Sequence, residues 1–477
     1  MTVDQETRAH PYIPNSVPAI KEQMLRAVGA ESVDEFYADV PEALRLREPL
    51  DLPEALSSEQ ALRRHVEGLL ARNTAAGSGA PGEYLSFLGA GCYHHHVPAV
   101  CDEVNGRGEF LTAYAGEPYD DHGRFQALFE YASMMGELLN MDVVNVPTYD
   151  GFQASATALR MASRLTEPAD PDQRHEALVH GAIDPAKLSK ILDYVRPVMD
   201  VRLLAYDPST GQLDLDALRA TISERTAAVY FENPAYLGFL EAQGAEIAEI
   251  AHAHGAQCVV AANPISLGVL APPADYGADI VCGDIQPLGI HMQYGGGHGG
   301  YIATRDEVEY VMEYPSRLFG IAPTRVPGEY GFGDVAYERT SFAVREEGKE
   351  WVGTAAALWG ITAGVYLALM GPQGMAELGE GLMARARYAM ERLDRIAGAR
   401  APAFQAPHFH EFVVDFSATG RTVAEINAAL LERGILGGVN LSRDFAALGQ
   451  SALYNVTEVH TQADIDRLAA ALEEVLA

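Results

Sequence analysis

The stretch ADIVCGDIQPLGIHMQYGGGHGGYIAT, Ala278 to Thr304, reads as a buried strand, a glycine-rich turn and a second strand. Its glycines allow a tight turn between two strands. They do not make a P-loop, because the G-x-x-x-x-G-K-[ST] pattern is missing, and glycine spacing alone is a weak signal. Directly after the first strand stands Gln286-Pro287-Leu288-Gly289, with no lysine.

Outward from this stretch, helices alternate with short β-rich runs from about residue 124 to 310. HEALVHG, DVRLLAYD, TAAVYFEN, AQCVVAAN and ADIVCGD are strands bounded by Gly, Pro, Asn or Asp. EIAEIAHAHG is a helix between two of them, stopped by Gly255. Near-continuous apolar strands alternating with helices predict a mostly parallel α/β sheet covered on both faces. Residues 1–75 read as a helical N-terminal segment, 76–350 as the large α/β domain, and 351–477 as connecting helices followed by a small α+β domain. In the last of these, FHEFVVDF, TVAEINAALLERG and ALYNVTEV give strand, helix, strand. The closing helix is capped by Thr461 with Asp464 three residues on.

Composition narrows the function. The chain has 477 residues, 48% of them hydrophobic, enough for a large core. A net charge of -32 disfavours nucleic acid and anionic membrane surfaces as partners. The N-terminus has no secretory pattern, and no apolar window is long enough to span a membrane, so the expectation is a cytoplasmic protein. Cys92, Cys101, Cys258 and Cys282 form no C-x-x-C pair and read as reduced thiols.

In many pyridoxal phosphate (PLP) enzymes a lysine carries the cofactor just after a strand like the one that ends at Asp284. That chemistry needs an imine lysine after a strand, an acid at a strand end beside the pyridine nitrogen, and a helix N-terminus for the phosphate. Here the strand end carries Asn263, which is neutral, and no lysine occurs between Lys190 and Lys349. Lys187 and Lys190 read as an exposed helix face, Lys21 sits in an N-terminal helix, and Lys349 is the outside candidate for an imine lysine. The helix entered after Asp150-Gly151 offers free N–H groups to an anion, or is simply capped. In YHHHVPAV three adjacent histidines cannot all face one metal, so His95 or His96 reads as a hydrogen-bonding residue of a site loop. Glu117, Asp120, Asp121 and His122 are weak candidates for a divalent cation, with a polar turn as the plain reading.

The motifs FLGAGCYHHHVPAV, FEYASMMGELLNMDVVN, ENPAYLGFLE, NPISLGVLAPPADYGADIVCGDIQPLGI and YNVTEVH, in this order, resemble subunit 1 of the two-subunit glycine dehydrogenase (decarboxylating). That is the α half of the glycine cleavage system P-protein family. The resemblance covers nearly the whole chain. It implies the PLP-dependent transferase fold type I, an oxidoreductase of glycine catabolism and a heterotetramer. It also implies a lysine-bearing β subunit of the same fold, with PLP on that partner or at the shared interface. In the family, glycine is decarboxylated and its aminomethyl group passes to the lipoylated H-protein. GDIQPLG is similar to the family's GEGQPLG.

Four polar stretches depart from the family's usual pattern: AYAGEPYDDHGR, NVPTYDG, Ala262-Asn263-Pro264 and REEGKEWVGTA. The framework is kept while these loops are rewritten, so a related small amino acid is as open a substrate as glycine. The residues expected to line the shared site are His95, His96, Tyr114, Tyr149, Asp150, Asn263 and Gln286. Two other readings stand beside this one: a non-catalytic homodimeric pseudoenzyme, and a metal or acid–base enzyme that has left PLP behind.

Overall fold

The computed structural model describes residues 12–13, 16–46, 48, 50–77, 81–110, 122–166, 175–341, 344, 346, 348–350, 352–353 and 355–477. The chain divides into two units, Met1–Asn73 and Thr74–Ala477. The first contains helices α1 (Pro18–Ala27) and α2 (Glu59–Leu70), neither of which carries a buried residue. Ser58 caps α2 by accepting the Ala61 N–H.

The second unit begins with β1 (Ala75–Gly77), β2 (Glu83–Ser86), α3 (Ala99–Asn105) and α4 (His122–Leu139). Then come β3 (Val143–Val144), α5 (Gly151–Thr166), β4 (Glu176–His180), α6 (Pro185–Val195), β5 (Asp200–Leu204) and α7 (Leu215–Thr221). The alternation continues with β6 (Thr226–Glu232), α8 (Gly244–Ala253), β7 (Gln257–Ala261), β8 (Ile280–Asp284), β9 (Gly300–Thr304) and α9 (Val308–Val311). A hairpin, β10 (Phe319–Pro323) and β11 (Tyr330–Asp334), leads to α10 (Ala357–Leu393), which kinks at Gly371-Pro372. The chain closes with β12 (Glu411–Asp415), α11 (Val423–Glu432), β13 (Ile435–Leu436), β14 (Val439–Asn440), β15 (Ser451–Asn455) and α12 (Gln462–Leu476).

Seven strands form the main sheet in the order β3-β9-β8-β7-β6-β4-β5. Only β9 runs antiparallel to its neighbours; the other pairs are parallel. The expected mostly parallel sheet, with helices on both faces, is therefore present. Strand β6 shows why its sequence reads as a continuous apolar run. Ala228 and Tyr230 pack with α5 on one face, Val229 and Phe231 with α8 on the other, and every residue of the strand is buried.

The C-terminal β12-β15-β14 sheet is antiparallel and shares its own core with α11 and α12. The Thr461–Asp464 capping box on α12 forms as expected. Among the described residues, no helix is long and apolar enough to cross a membrane.

Candidate functional site

A cavity of about 290 Å³ opens where the C-terminal ends of β6, β7 and β8 meet the start of α5 and the start of β12. In open α/β sheets this end of the strands is where ligands bind. It is also where PLP chemistry would place its three requirements, and each can be tested on the side chains present.

The helix N-terminus comes first. The Gly151 N–H, opening α5, donates to Asp284 Oδ2 at 2.8 Å, and the Gln153 N–H donates to Asp150 Oδ1 at 2.7 Å. Two of the helix's first N–H groups are therefore satisfied by the chain's own carboxylates. Glycine is needed at 151, since a Cβ there would lie 2.9 Å from the Asp284 Cβ and 3.0 Å from its backbone nitrogen.

The strand-end residue comes second. Asn263 Oδ1 accepts the Ile265 N–H at 3.0 Å, and its Nδ2 faces His410 Nε2 at 3.0 Å. Burial, joined by His95, lowers the His410 imidazole to about 3, so the ring is neutral. With Asn263 donating to Nε2, the His410 proton sits on Nδ1 and is given to Asn455 Oδ1 at 2.6 Å. Asn263 is thus committed to a neutral network and offers no carboxylate to a pyridinium.

The lysine comes third. Lys187 was expected on an exposed helix face, and the structure corrects this. Its side chain is largely covered in the cavity wall and paired with Glu232 at the end of β6. Burial alone would lower the ammonium, but the Glu232 carboxylate outweighs it and raises it above the ordinary lysine range. A protonated, paired ammonium is not the free amine that imine formation needs. Lys349 lies elsewhere: its Nζ is 3.7 Å from Glu313 Oε1, and it is not among the cavity residues. Its neighbour Glu350 is fixed to α5, pairing with Arg160 at 2.7 Å and accepting from Thr157 at 3.0 Å.

On all three counts the residues of this cavity do not fit PLP. Its wall is instead acidic: Asp150, Asp184, Glu232, Asp284 and Glu411 face Lys187 and His298. A phosphate dianion entering it meets more carboxylates than cations, and both cations are already paired with carboxylates.

The other expected site residues are placed as follows. Asp150 and Asn263 line the cavity. Tyr149 is exposed, and its N–H donates to Gln153 Oε1 at 3.1 Å. Gln286 is buried behind the cavity and grips Tyr93, accepting its N–H at 3.0 Å and donating to its carbonyl at 2.9 Å. His95 and His96 line a second cavity of about 220 Å³ with His94 and His291. There His95 Nδ1 meets Glu458 Oε2 at 2.8 Å, and the His96 N–H donates to Glu458 Oε1 at 2.6 Å. Burial pushes Glu458 up, but its bonds from His95 and His96 hold it at about 2. Tyr114, Glu117, Asp120 and Asp121 lie outside the described residues, as does the side chain of His122.

Sequence reasoning missed Cys92, His298, Asp284 and Glu411, which the fold gathers here from three separate regions. Glu411 accepts the Ala90 N–H at 2.6 Å and the Tyr93 hydroxyl at 2.8 Å. Burial pushes its carboxyl up to about 7. His298 pairs through Nδ1 with Asp284 at 3.1 Å. Hydrogen bonds to Asp284 and then to Cys92 raise its imidazole to about 10, so it is charged at neutral pH.

A model of the glycine cleavage system P-protein family matches residues 10–472. The probable glycine dehydrogenase (decarboxylating) subunit 1 of Staphylothermus marinus is 36% identical over 476 residues, covering 98% of both chains. The protein of the same description from Carboxydothermus hydrogenoformans is 37% identical over 461 residues, 96% of this chain and 98% of that one. Among solved structures, glycine decarboxylase (P-protein) of the glycine cleavage system, in inhibitor-bound form, superposes with a TM-score of 0.83. It is 34% identical and covers 96% of this chain and 98% of its own. A sphingosine-1-phosphate lyase of Burkholderia pseudomallei shares the fold at a TM-score of 0.64 and 16% identity, covering 91% of this chain and 94% of its own. With the family model and these relatives spanning nearly its whole length, this chain belongs to the glycine cleavage system P-protein family.

Proposed function

We propose that this chain is the α-type subunit, without an imine lysine of its own, of a heteromeric decarboxylase acting on glycine or a related small amino acid. Its PLP is held by a lysine-bearing partner of the same fold. The observation that carries this reading is the Asp284 carboxylate on the Gly151 N–H, which fills the anion position of the chain's own cavity. The relatives described as subunit 1 support it, since a first subunit implies a second.

Bound to the partner, PLP supplies the electron sink for loss of CO2. This chain's part is to complete the assembly and shape the approach to the partner's site, excluding water there. The stretches 113–124 and 345–355, where the sequence departs from the family pattern, are the place to look for substrate preference. Residues 76–350 and 351–477 serve as its large and small domains. The lipoylated H-protein is the expected acceptor.

The test is to mix the purified chain with PLP, alone and with the lysine-bearing subunit encoded nearest its gene. An imine absorbance band found only with the partner, in a complex that survives gel filtration, supports the proposal. A partner that never associates overturns it in favour of a pseudoenzyme.

A further inference from the structure

The loop before α3 is held under unusual constraint. Ala90 has φ 65° and Gly91 has φ 95°, two successive residues in the left-handed region. Ala90 is not glycine, so this conformation costs energy and persists only where neighbours enforce it. Glu411 and Gln286 do so, binding the Ala90 N–H, the Tyr93 hydroxyl and the Tyr93 peptide groups. Cys92 lies between these clamped residues and faces the cavity.

The turn between β8 and β9 supplies its neighbour. Tyr294, Gly295 and Gly297 all have positive φ and fold the chain back, so that His298 returns over the end of β8. There its ring pairs with Asp284 at 3.1 Å and shares the cavity wall with Cys92, whose thiol helps to raise the imidazole. A thiol beside an imidazole that is oriented by a carboxylate is the arrangement that activates cysteine as a nucleophile.

We propose that Cys92, His298 and Asp284 form a nucleophilic thiol centre in this cavity, open to small uncharged or ammonium-bearing electrophiles and closed to anionic ones. The sulfur's electron pair forms the new bond, and the leaving group departs with the pair of the bond that breaks. The proton the thiol gives up stays on His298, where Asp284 holds it. The charge selection comes from Asp150, Asp184, Glu232 and Asp284, carboxylates that outnumber Lys187 and His298 in the same cavity wall. The other cysteines give an internal reference. Cys101, Cys258 and Cys282 are buried, and burial pushes the Cys101 thiol up to about 11 and that of Cys282 to about 12.

The experiment is iodoacetamide alkylation of the full chain at neutral pH, followed by peptide mapping. Cys92 is expected to react first, about ten-fold or more faster than N-acetylcysteine, and His298→Gln is expected to remove that advantage. A Cys92 rate no higher than that of N-acetylcysteine overturns the proposal. So does an unchanged rate in a folded His298→Gln variant. If that variant does not fold, the wild-type rate against N-acetylcysteine decides alone. Charge selection is read from aminoethyl and sulfonatoethyl methanethiosulfonate, each normalised to the free thiol. The cationic reagent is expected to be faster at Cys92, and equal normalised rates overturn the selection.

Discussion

Asp284 Oδ2 accepts the Gly151 N–H at 2.8 Å, so a carboxylate from the end of β8 closes the N-terminus of α5. The same side chain accepts the Gln286 N–H at 2.8 Å and pairs with His298 at 3.1 Å. One residue thereby fixes the helix start, the turn after β8 and the imidazole on the cavity wall. Asp284→Ala leaves all three partners without it. The expected cost is about 2 kcal/mol, from the lost cap and hydrogen bonds. Urea unfolding of the two proteins measures it.

Gly151→Ala tests the same junction from the other side. The new methyl meets the Asp284 side chain and backbone at contacts of about 3 Å. Forcing it in is expected to destabilise the chain by about 1–3 kcal/mol. A neutral substitution, read by thermal unfolding, contradicts the close approach of α5 to β8.

Gln286 is expected to matter for loop order. Removing its side chain leaves the Tyr93 N–H and carbonyl without their partner in the interior. Gln286→Ala is expected to cost about 2–3 kcal/mol. It is also expected to increase proteolysis of the stretch around Ala90, as followed by mass spectrometry.

His298 and Glu411 give a pH dependence that can be signed. The His298 value, about 10, lies above that of a free histidine, so its contribution is fully present below about pH 6.5. It is lost as pH rises through about 10. The stability gap between wild type and His298→Gln should therefore shrink between about pH 6 and about pH 10. Glu411 is also raised, to about 7, but as an acid kept neutral by burial. Wild-type stability should fall as pH rises from about 4.3 through about 7 as this group is forced to ionise. Against Glu411→Gln the relative loss is expected to reach up to about 3 kcal/mol. Paired urea melts across this range read both trends.

Much of the fold was legible because β6 and its neighbours are buried on both faces, which writes itself as an unbroken apolar run. The cap on α12 was legible because Thr461 and Asp464 are three residues apart. The cavity was legible only by what it lacked. Asn263 and the missing lysine mark positions along the chain, whereas the carboxylate on α5 comes from β8 and is invisible without the sheet. Lys187 was misread for the same reason, since its partner Glu232 lies on β6, with β5 and α7 between them in the chain. Gln286 drew notice for standing where a lysine was sought, but its side chain turns inward to Tyr93. Cys92 and His298 carry no spacing signal, because a left-handed loop and a glycine turn bring them together.

In the proposed function this chain's own cavity takes no PLP, and a partner's lysine carries it. The most direct test is the visible absorbance of the chain with PLP after gel filtration, alone and with the lysine-bearing subunit. No bound cofactor is expected with the chain alone, and an imine band is expected in the complex. A stable imine band with the chain alone, lost on Lys187→Ala, would contradict it.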